Sequence, residues 1–306
     1  TRKSCELSII QRKRNKYFLN WPNMKNKTIC LQLLLVICSL NFFAQELERP
    51  FILVKNAERS EILKKIDSKP WAKQIYSNLK KNTDKQIRKF YQNPNSYLKN
   101  LPFNWSKAEV NQFPPFLKTD HIENGKHRNL DNATEEEWKP AELLITYLQV
   151  ALNCGELYYL TQEDKYAYVA SSILYSYIKS VQQSEISSWK GRGGWLFPHD
   201  GFREVRVLGY RLPLIYDFIH PYLKKEGKSF DFIQSKKVNF PFEEAQTVFK
   251  TYANITVNYG QTGSNHSVLE APSLVYNALA LDDKEERETW LNYFLSESTE
   301  NQDALP

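Results

Sequence analysis

The stretch PAELLITYLQVALNCGELYYLTQEDKYAYVASSILYSYIKSV, from Pro140 to Val181, decides the fold. Apolar residues recur in it every three or four positions, which predicts two amphipathic helices, Pro140–Leu160 and Lys165–Ser184. The polar segment Thr161–Asp164 between them is too short for anything but a tight turn. Two helices joined in this way form an antiparallel helical hairpin.

The rest of the chain repeats this pattern. Helical periodicity without a convincing period-two strand pattern predicts further helices over Ser60–Asp67, Trp71–Tyr91, Val207–Leu223, Phe242–Ile255, Asn265–Leu281 and Lys284–Leu295. Residues 97–138 are irregular and rich in proline, and a connection of this length is usually functional or wraps the surface. We therefore predict an all-α fold built from successive antiparallel helical hairpins.

The start of the chain has the pattern of an export signal. Met24 is the only methionine, so residues 1–23 are interpreted as translated upstream sequence. Two lysines, the apolar core Ile29–Leu40 and a small residue at Ala44 follow, as in a cleaved signal peptide over residues 24–44. The apolar core falls short of the ~20 residues that cross a bilayer. We expect a mature protein from residue 45, without a membrane span and exported to the periplasm or outside the cell.

This processing changes the charge of the protein. The whole chain has 41 Lys and Arg against 35 Asp and Glu, for a net charge of +6. Residues 1–44 carry eight of the basic residues and one acid, so the remainder has 33 basic and 34 acidic residues, a net charge of −1. Three of the four cysteines also precede residue 45, which leaves Cys154 with no disulfide partner. No clustered basic face remains, and nucleic acid is not an expected partner.

A polar turn before one of the predicted helices holds the strongest candidate site. The sequence Asn258-Tyr-Gly-Gln-Thr-Gly-Ser-Asn-His266 runs into the apolar helix that contains Leu274 and Leu281. An amide and an imidazole, Asn265 and His266, stand side by side where the helix dipole favours an anion. The amide can bind a carboxylate and the imidazole can move a proton. The alternative is an ordinary helix cap with an exposed histidine.

Three stretches together resemble the N-terminal helical domain of heparinase II/III-like polysaccharide lyases, a group that includes alginate lyases. They are the opening Arg49–Lys73, the central Gly155-Glu-Leu-Tyr-Tyr-Leu-Thr161 with Lys165–Tyr168, and the Asn265-His266 pair. The resemblance implies an incomplete α/α toroid over residues 45–306, truncated at its C-terminus and followed in the family by β-sandwich domains. It implies β-elimination on a uronate-containing anionic polysaccharide, with a catalytic tyrosine beyond residue 306.

The resemblance also assigns roles to residues of this chain. Asn265 would neutralise the substrate carboxylate and His266 would act as the general base. Glu270, one helical turn later, would orient the imidazole, unless it is a solvated glutamate. The glycine-spaced loop 189–201 and the residues after it would supply substrate contacts, namely Trp189, Arg192, Trp195, His199, Arg203 and Arg206. Ordinary salt bridges for the arginines and core packing for the tryptophans are the alternatives.

Two other classes of function stay open. One is a non-catalytic carbohydrate-binding toroid, and the other is a glycoside hydrolase on the same scaffold. A hydrolase needs two carboxyl groups across the scissile bond, for which Asp200, Glu204 and Asp217 are available. The histidines and acids have no compact metal-binding spacing, so we expect neither a metal nor another cofactor. The sequence does not choose among alginate, glycosaminoglycan and ulvan-type substrates.

The export signal leads to the first prediction. Protein recovered from the periplasm or the medium should begin near Gln45, because a signal peptidase cleaves after a small residue such as Ala44. N-terminal sequencing of the exported protein measures this directly. A mature protein that begins before Met24 would contradict the interpretation of residues 1–44.

Overall fold

The computed structural model describes residues 48–99, 101, 122–123, 126–127, 135–182, 204–259 and 266–297. The side chains of residues 122–123, 126–127, 136–138, 140, 259, 266–267 and 296–297 are outside this description. The proposed upstream segment and signal peptide, residues 1–44, also lie outside the described residues. The described residues all belong to a single compact unit that begins at residue 47.

The first half of the described chain is helical apart from one minimal strand pair. A 3₁₀ turn at Asn56–Glu58 leads into α1, and the later elements follow in chain order. They are α1 Arg59–Ser68, α2 Pro70–Gln92, α3 Pro94–Lys99, β1 Ile122–Glu123, β2 Lys126–His127, α4 Glu135–Thr161 and α5 Asp164–Val181.

The second half begins with a π-helical segment, Val205–Gly209, which runs into a long helix. A two-stranded hairpin, three more helices and a second π-helical turn at Tyr293–Glu297 complete it. The elements are α6 Arg211–Lys225, β3 Lys228–Asp231, β4 Lys236–Asn239, α7 Phe242–Tyr259, α8 His266–Ala280 and α9 Lys284–Asn292.

The predicted hairpin at the centre of the chain is present as α4 and α5. The two helices pack against each other, and only Gln162 and Glu163 separate them. Gln162 has a positive φ of 62°, and its N–H donates to the carbonyl of Tyr158 at 2.7 Å, which closes the end of α4. Most of α5 is buried, so this helix forms the centre of the core and other helices pack around it.

The all-α prediction is confirmed. In the described part of the chain the sheets are two antiparallel pairs of strands, β1 with β2 and β3 with β4. The hairpin β3–β4 was not predicted, because a four-residue strand carries too little alternation to be recognised. Its register pairs Lys228 with Asn239 and Asp231 with Lys236. The toroidal arrangement of the helices stays a prediction.

The apolar periodicity of α2 correctly predicts a helix, but it does not identify the buried face of that helix. Trp71, Ile75 and Leu79 have the i, i+4, i+8 spacing of a helix, yet the side chains of Trp71 and Ile75 are 64% and 61% exposed. The buried positions of α2 are Ala72, Thr83, Ile87 and Phe90. The C-terminal half of this helix therefore contributes most of its buried residues, while Tyr76 and Leu79 of the N-terminal half pack against the core partly buried. No helix in the described ranges combines the length and apolar character needed to span a membrane.

A buried ion pair joins the opening segment to the second half of the chain. Arg49 Nη1 donates to Asp217 Oδ1 at 3.1 Å, and both side chains are almost fully buried. Arg49 Nη2 donates to the carbonyl of Ala280 at 2.9 Å. The other carboxylate oxygen, Asp217 Oδ2, accepts the backbone N–H groups of Phe51 and Ile52, each at 2.9 Å. Segment 49–52, α6 and the end of α8 are thus held together.

The π-helical segment meets α7 and α8 at Gly209. The side-chain amide of Asn277 donates to the carbonyl of Gly209 at 3.0 Å. A Cβ at Gly209 would lie 2.4 Å from Ser273 Oγ and 2.9 Å from a ring carbon of Tyr252. The absence of a side chain at this position lets α8 approach the π-helical segment closely.

The ion pair leads to a stability prediction. Arg49→Met should lower the free energy of unfolding by about 3–5 kcal/mol, because it leaves a buried carboxylate without its cation. Burial already raises the pKa of Asp217, and removal of Arg49 raises it further, above the unfolded value. The loss should therefore shrink as the pH falls and Asp217 takes up a proton in the folded state. Urea unfolding at several pH values measures both effects.

A surface ion pair provides the control for this prediction. Lys65 contacts Glu61 at 2.8 Å with both side chains more than half exposed. Lys65→Met should cost less than about 1 kcal/mol, because water screens exposed pairs. Equal losses for the two variants would show that Arg49 contributes no more than a surface charge.

The close approach at Gly209 leads to a second stability prediction. Gly209→Ala should cost about 1–3 kcal/mol, since the added methyl group must displace Ser273 or Tyr252 from a packed junction. Ser273→Ala removes the nearest atom, so the double variant should recover part of that loss. Thermal unfolding of the two single variants and the double variant tests this coupling. A Gly209→Ala protein as stable as the wild type would contradict it.

Candidate functional site

Two of the candidate residues, His266 and Glu270, lie on helix α8. The helix begins at His266, and Glu270 follows one turn later with 3% of its surface exposed. This burial rules out the solvated glutamate that the sequence left open. Asn265 lies outside the described residues, directly before the first turn. The N-terminus of α8 therefore combines His266 with a buried carboxyl group four positions later.

The buried face of α8 carries a polar strip beside the apolar Leu274 and Ala278. Glu270, Ser273 and Asn277 are spaced three and four positions apart, so they share one face, and all three are buried. Asn277 donates to the carbonyl of Gly209, which fixes this face against the π-helical segment. Arg206 lies on that same segment and is half-buried. The structure thus packs the helix that carries His266 and Glu270 against the segment that carries Arg206.

A second buried carboxyl group lies at the start of the π-helical segment. Glu204 is fully buried, and its Oε1 accepts a hydrogen bond from the hydroxyl of Tyr252 at 2.8 Å. The hydroxyl of Tyr252 is also hydrogen-bonded to that of Tyr177. The three residues join α5, α7 and the π-helical segment through one chain of hydrogen bonds.

Tyr177 and Tyr252, the two tyrosines of this hydrogen-bonded series, stay protonated. Burial, together with the nearby Glu204, holds the pKa of Tyr177 well above its usual value, and the same causes act on Tyr252. Neutral phenols act as hydrogen-bond donors at any working pH. Tyr252 thus donates to Glu204 as a neutral phenol.

Most of the predicted substrate contacts lie outside the described residues. This is so for Asn265 and for the whole loop that carries Trp189, Arg192, Trp195, His199 and Arg203. Arg206 and Glu270 are described, and both are engaged in interactions with neighbouring groups. The roles assigned to all these residues stay predictions.

Two of the three carboxyl groups considered for a hydrolase, those of Glu204 and Asp217, are described, and both are buried with hydrogen-bond partners. Asp217 is 2% exposed, and both of its oxygens are engaged by Arg49 and by the backbone of segment 51–52. Glu204 is fully buried beneath Tyr252. Neither group is open to a glycosidic bond, and Asp200 lies outside the described residues.

Sequence reasoning missed the Tyr177–Tyr252–Glu204 chain. Both tyrosines occur at helical positions that also suit plain core packing, and their partner is distant in sequence. The signal that could have found them is the composition of α5, which is buried nearly all round and still carries several hydroxyl groups. Buried hydroxyls need partners, so such a helix predicts a polar network.

The described residues contain no group of three or more His, Cys, Asp or Glu side chains that could hold a metal ion. Cys154 is fully buried, and burial raises its pKa above the usual range. A buried thiol of this kind is chemically inert. The described side chains of the candidate site are carboxyl, phenol, guanidinium, amide and hydroxyl groups.

The comparisons with known proteins agree with part of the resemblance. The chain is 24% identical over 281 residues to the endo-acting ulvan lyase of Formosa agariphila, an alignment that covers 89% of this chain. The aligned part spans 31% of the length of the Formosa agariphila protein. No family model matches the chain, so the heparinase II/III-like resemblance stays a prediction. No solved structure matches it either. The chain is therefore a distant relative of a polysaccharide lyase.

Proposed function

We propose that this chain is the helical part of a polysaccharide lyase that cleaves an anionic, uronate-containing polysaccharide by β-elimination. The observation that carries the proposal is the similarity to an ulvan lyase along 89% of the chain. The buried Glu270, one turn after His266 on α8, supports it at the level of the site. We further propose that the helices form an incomplete α/α toroid and that the protein is exported.

The reaction begins at C5 of the uronate ring. Asn265 donates hydrogen bonds to the carboxylate attached to C5, and these bonds strengthen as negative charge develops there. His266 removes the C5 proton as the general base, since its unperturbed pKa of ~6.5 lies near the working pH. The electron pair of the C5–H bond forms the C4–C5 double bond, and the C4–O bond breaks. An acid protonates the leaving oxygen, and the new chain end carries an unsaturated uronate.

Glu270 has a defined part in this scheme. A carboxylate one helical turn from a histidine can accept the hydrogen bond of the ring nitrogen that does not take the proton. This contact would fix the tautomer of His266 and stabilise the imidazolium that forms. Glu270 is thus a positioning residue, and its burial on the Ser273–Asn277 face of α8 keeps it from swinging into water.

The remaining proposed residues bind the polymer. Arg192, Arg203 and Arg206 would pair with substrate carboxylate or sulfate groups. Trp189, Trp195 and His199 would contact the sugar rings from the glycine-spaced loop. Of this set, Arg206 has a described position, on the π-helical segment that packs against α8. The support for its role is that this segment adjoins the helix of His266.

The chemistry leads to a mutational prediction. In the complete gene product, His266→Ala should lower turnover of the preferred polysaccharide by ~10²–10⁴-fold, as expected for loss of a positioned base. Asn265→Ala should lower it by ~10²–10³-fold, as expected for loss of a donor to a developing oxyanion. Assays with ulvan, alginate and a glycosaminoglycan, read by the ultraviolet absorbance of the unsaturated uronate, measure both effects and identify the substrate.

Asn78→Ala is the matched control. Asn78 is exposed on α2, and its side-chain oxygen accepts a hydrogen bond from Gln74 of the same helix at 3.0 Å. This variant should keep wild-type turnover. Wild-type turnover in His266→Ala would exclude a base role for His266. Reducing sugar released without the absorbance would indicate a hydrolase, and binding without any cleavage would indicate a carbohydrate-binding protein.

A further inference from the structure

An open pocket of about 700 Å³ lies beside the unpredicted hairpin β3–β4. The hairpin forms one wall, and the other walls come from the end of α2, the start of α5 and the end of α6. We call it the hairpin pocket. Its volume is in the range of ligand-binding sites, which is about 300–1,000 Å³. Every residue that lines it is among the described residues.

Aromatic side chains form the floor of the hairpin pocket. Tyr91, Tyr168, Tyr222 and Phe230 line it, from α2, α5, α6 and β3. The rings of Tyr91 and Tyr168 are neighbours, with centroids 6.3 Å apart, and Tyr91 is 48% exposed. Tyrosine combines an apolar ring face with a polar hydroxyl, a combination suited to a sugar ring, whose C–H faces are apolar and whose edges carry hydroxyls.

Three lysines of the hairpin place positive charge beside these aromatic rings. Lys228, Lys236 and Lys237 line the pocket from the hairpin. In the described residues none of the three forms an ion pair: Lys228 Nζ donates to Asn239 at 2.6 Å, and Lys237 Nζ lies 5.1 Å from the ring centre of Tyr168. Ammonium groups without a carboxylate partner on this wall attract an anion.

The acidic residues of the pocket offset only part of this positive charge. Asp164 and Glu226 both line it, and Lys225 contacts them at 3.1 and 3.7 Å, which balances one of the two negative charges. Lys165 also lines the pocket but is paired with Glu163, so the three hairpin lysines face one uncompensated carboxylate and leave a surplus of positive charge. Aromatic floor, open shape and surplus positive charge together specify a ligand that is both a sugar and an anion.

The hairpin pocket is separate from the candidate catalytic site. Along α5, Tyr168 lies nine residues from Tyr177, a distance of about 14 Å at the rise of an α-helix. Along α6, Tyr222 lies eleven residues from Arg211, about 17 Å. Tyr177 and the π-helical segment before Arg211 adjoin the candidate site. The two sites therefore occupy opposite ends of the same two helices.

We propose that the hairpin pocket is a second, non-catalytic binding site for an anionic polysaccharide chain. The identity of the ligand rests on the proposed function, whereas the location of the site rests on the pocket itself. The lysines bind carboxylate or sulfate groups of the polymer, and the tyrosines pack against its rings. A polymer held there raises the local concentration of scissile bonds near α8.

The test uses the 306-residue chain with His266→Ala, so that bound polymer is not cut. Lys236→Ala/Lys237→Ala should weaken binding of ulvan oligosaccharides by about 2- to 30-fold, the loss expected for two exposed charge contacts. The loss should shrink with added salt, which screens exposed charges over ~8 Å. Titration calorimetry measures the affinity. Lysine acetylation with and without the oligosaccharide should show protection at Lys236 and Lys237.

Lys64→Ala/Lys73→Ala is the matched control. Both lysines are exposed on α1 and α2, and Lys73 lies eighteen residues before Tyr91, about 27 Å along α2. This variant removes the same charge and should bind like the parent. Tyr91→Ala removes an exposed ring of the floor and should also weaken binding.

The outcomes separate the two proposals. Equal affinity for the Lys236→Ala/Lys237→Ala variant and its control, or no protection of these lysines, would overturn the hairpin pocket and leave the lyase untouched. Binding at the pocket without an unsaturated product from the complete gene product would support the pocket and refute the lyase. A chain that binds no anionic oligosaccharide at all would also overturn the pocket.

Discussion

The buried pair of Arg49 and Asp217 is the constraint on which the position of the candidate site depends. Arg49 also donates to the carbonyl of Ala280, at the last residue of α8. The same helix begins at His266, and its last turn is also fixed by the contact of Asn277 with Gly209. Because one end of α8 is held in this way, the direction of the helix that carries His266 is set. A buried pair of this kind contributes specificity of arrangement more than net stability.

The second constraint is the need to satisfy buried hydroxyls. Helix α5 is surrounded by other elements, so each hydroxyl on it must find a partner inside the protein. Tyr177 finds Tyr252 on α7, which in turn donates to Glu204 at the π-helical segment. Two positions earlier on α5, Tyr175 donates to Asp231 of the hairpin at 2.6 Å. These bonds set the register of α5 against both the site and the hairpin.

Local periodicity explains how much of this fold the sequence predicts. Helices such as α4 and α5 are long and strongly patterned, so their existence and their pairing follow from Pro140–Val181. The hairpin β3–β4 is too short to leave a pattern, and the exposure of Trp71 depends on which other elements reach α2. The pairing of Arg49 with Asp217 spans 168 positions, and no local rule connects residues so far apart.

The candidate site, like the fold, is predicted from the sequence only in part. His266 and Glu270 can be predicted as neighbours because four positions make one helical turn. The burial of Glu270 cannot be predicted, since it depends on the packing of α8 against the π-helical segment at Gly209. The Tyr252–Glu204 contact likewise requires α7 and that segment to meet. Sequence therefore supplies the chemical groups, and the tertiary packing decides which of them are buried together.

The separation of the two proposed sites limits how one can assist the other. From residue 45 onward the sequence has 33 basic and 34 acidic residues, so this part has no overall field that attracts an anionic polymer. Charges that are ~14 Å apart are also screened at physiological salt, where the Debye length is ~8 Å. The lysines of the hairpin pocket cannot then strengthen binding at α8 electrostatically. They can act only through a polymer long enough to reach both ends of α5 and α6, which makes any benefit depend on substrate length.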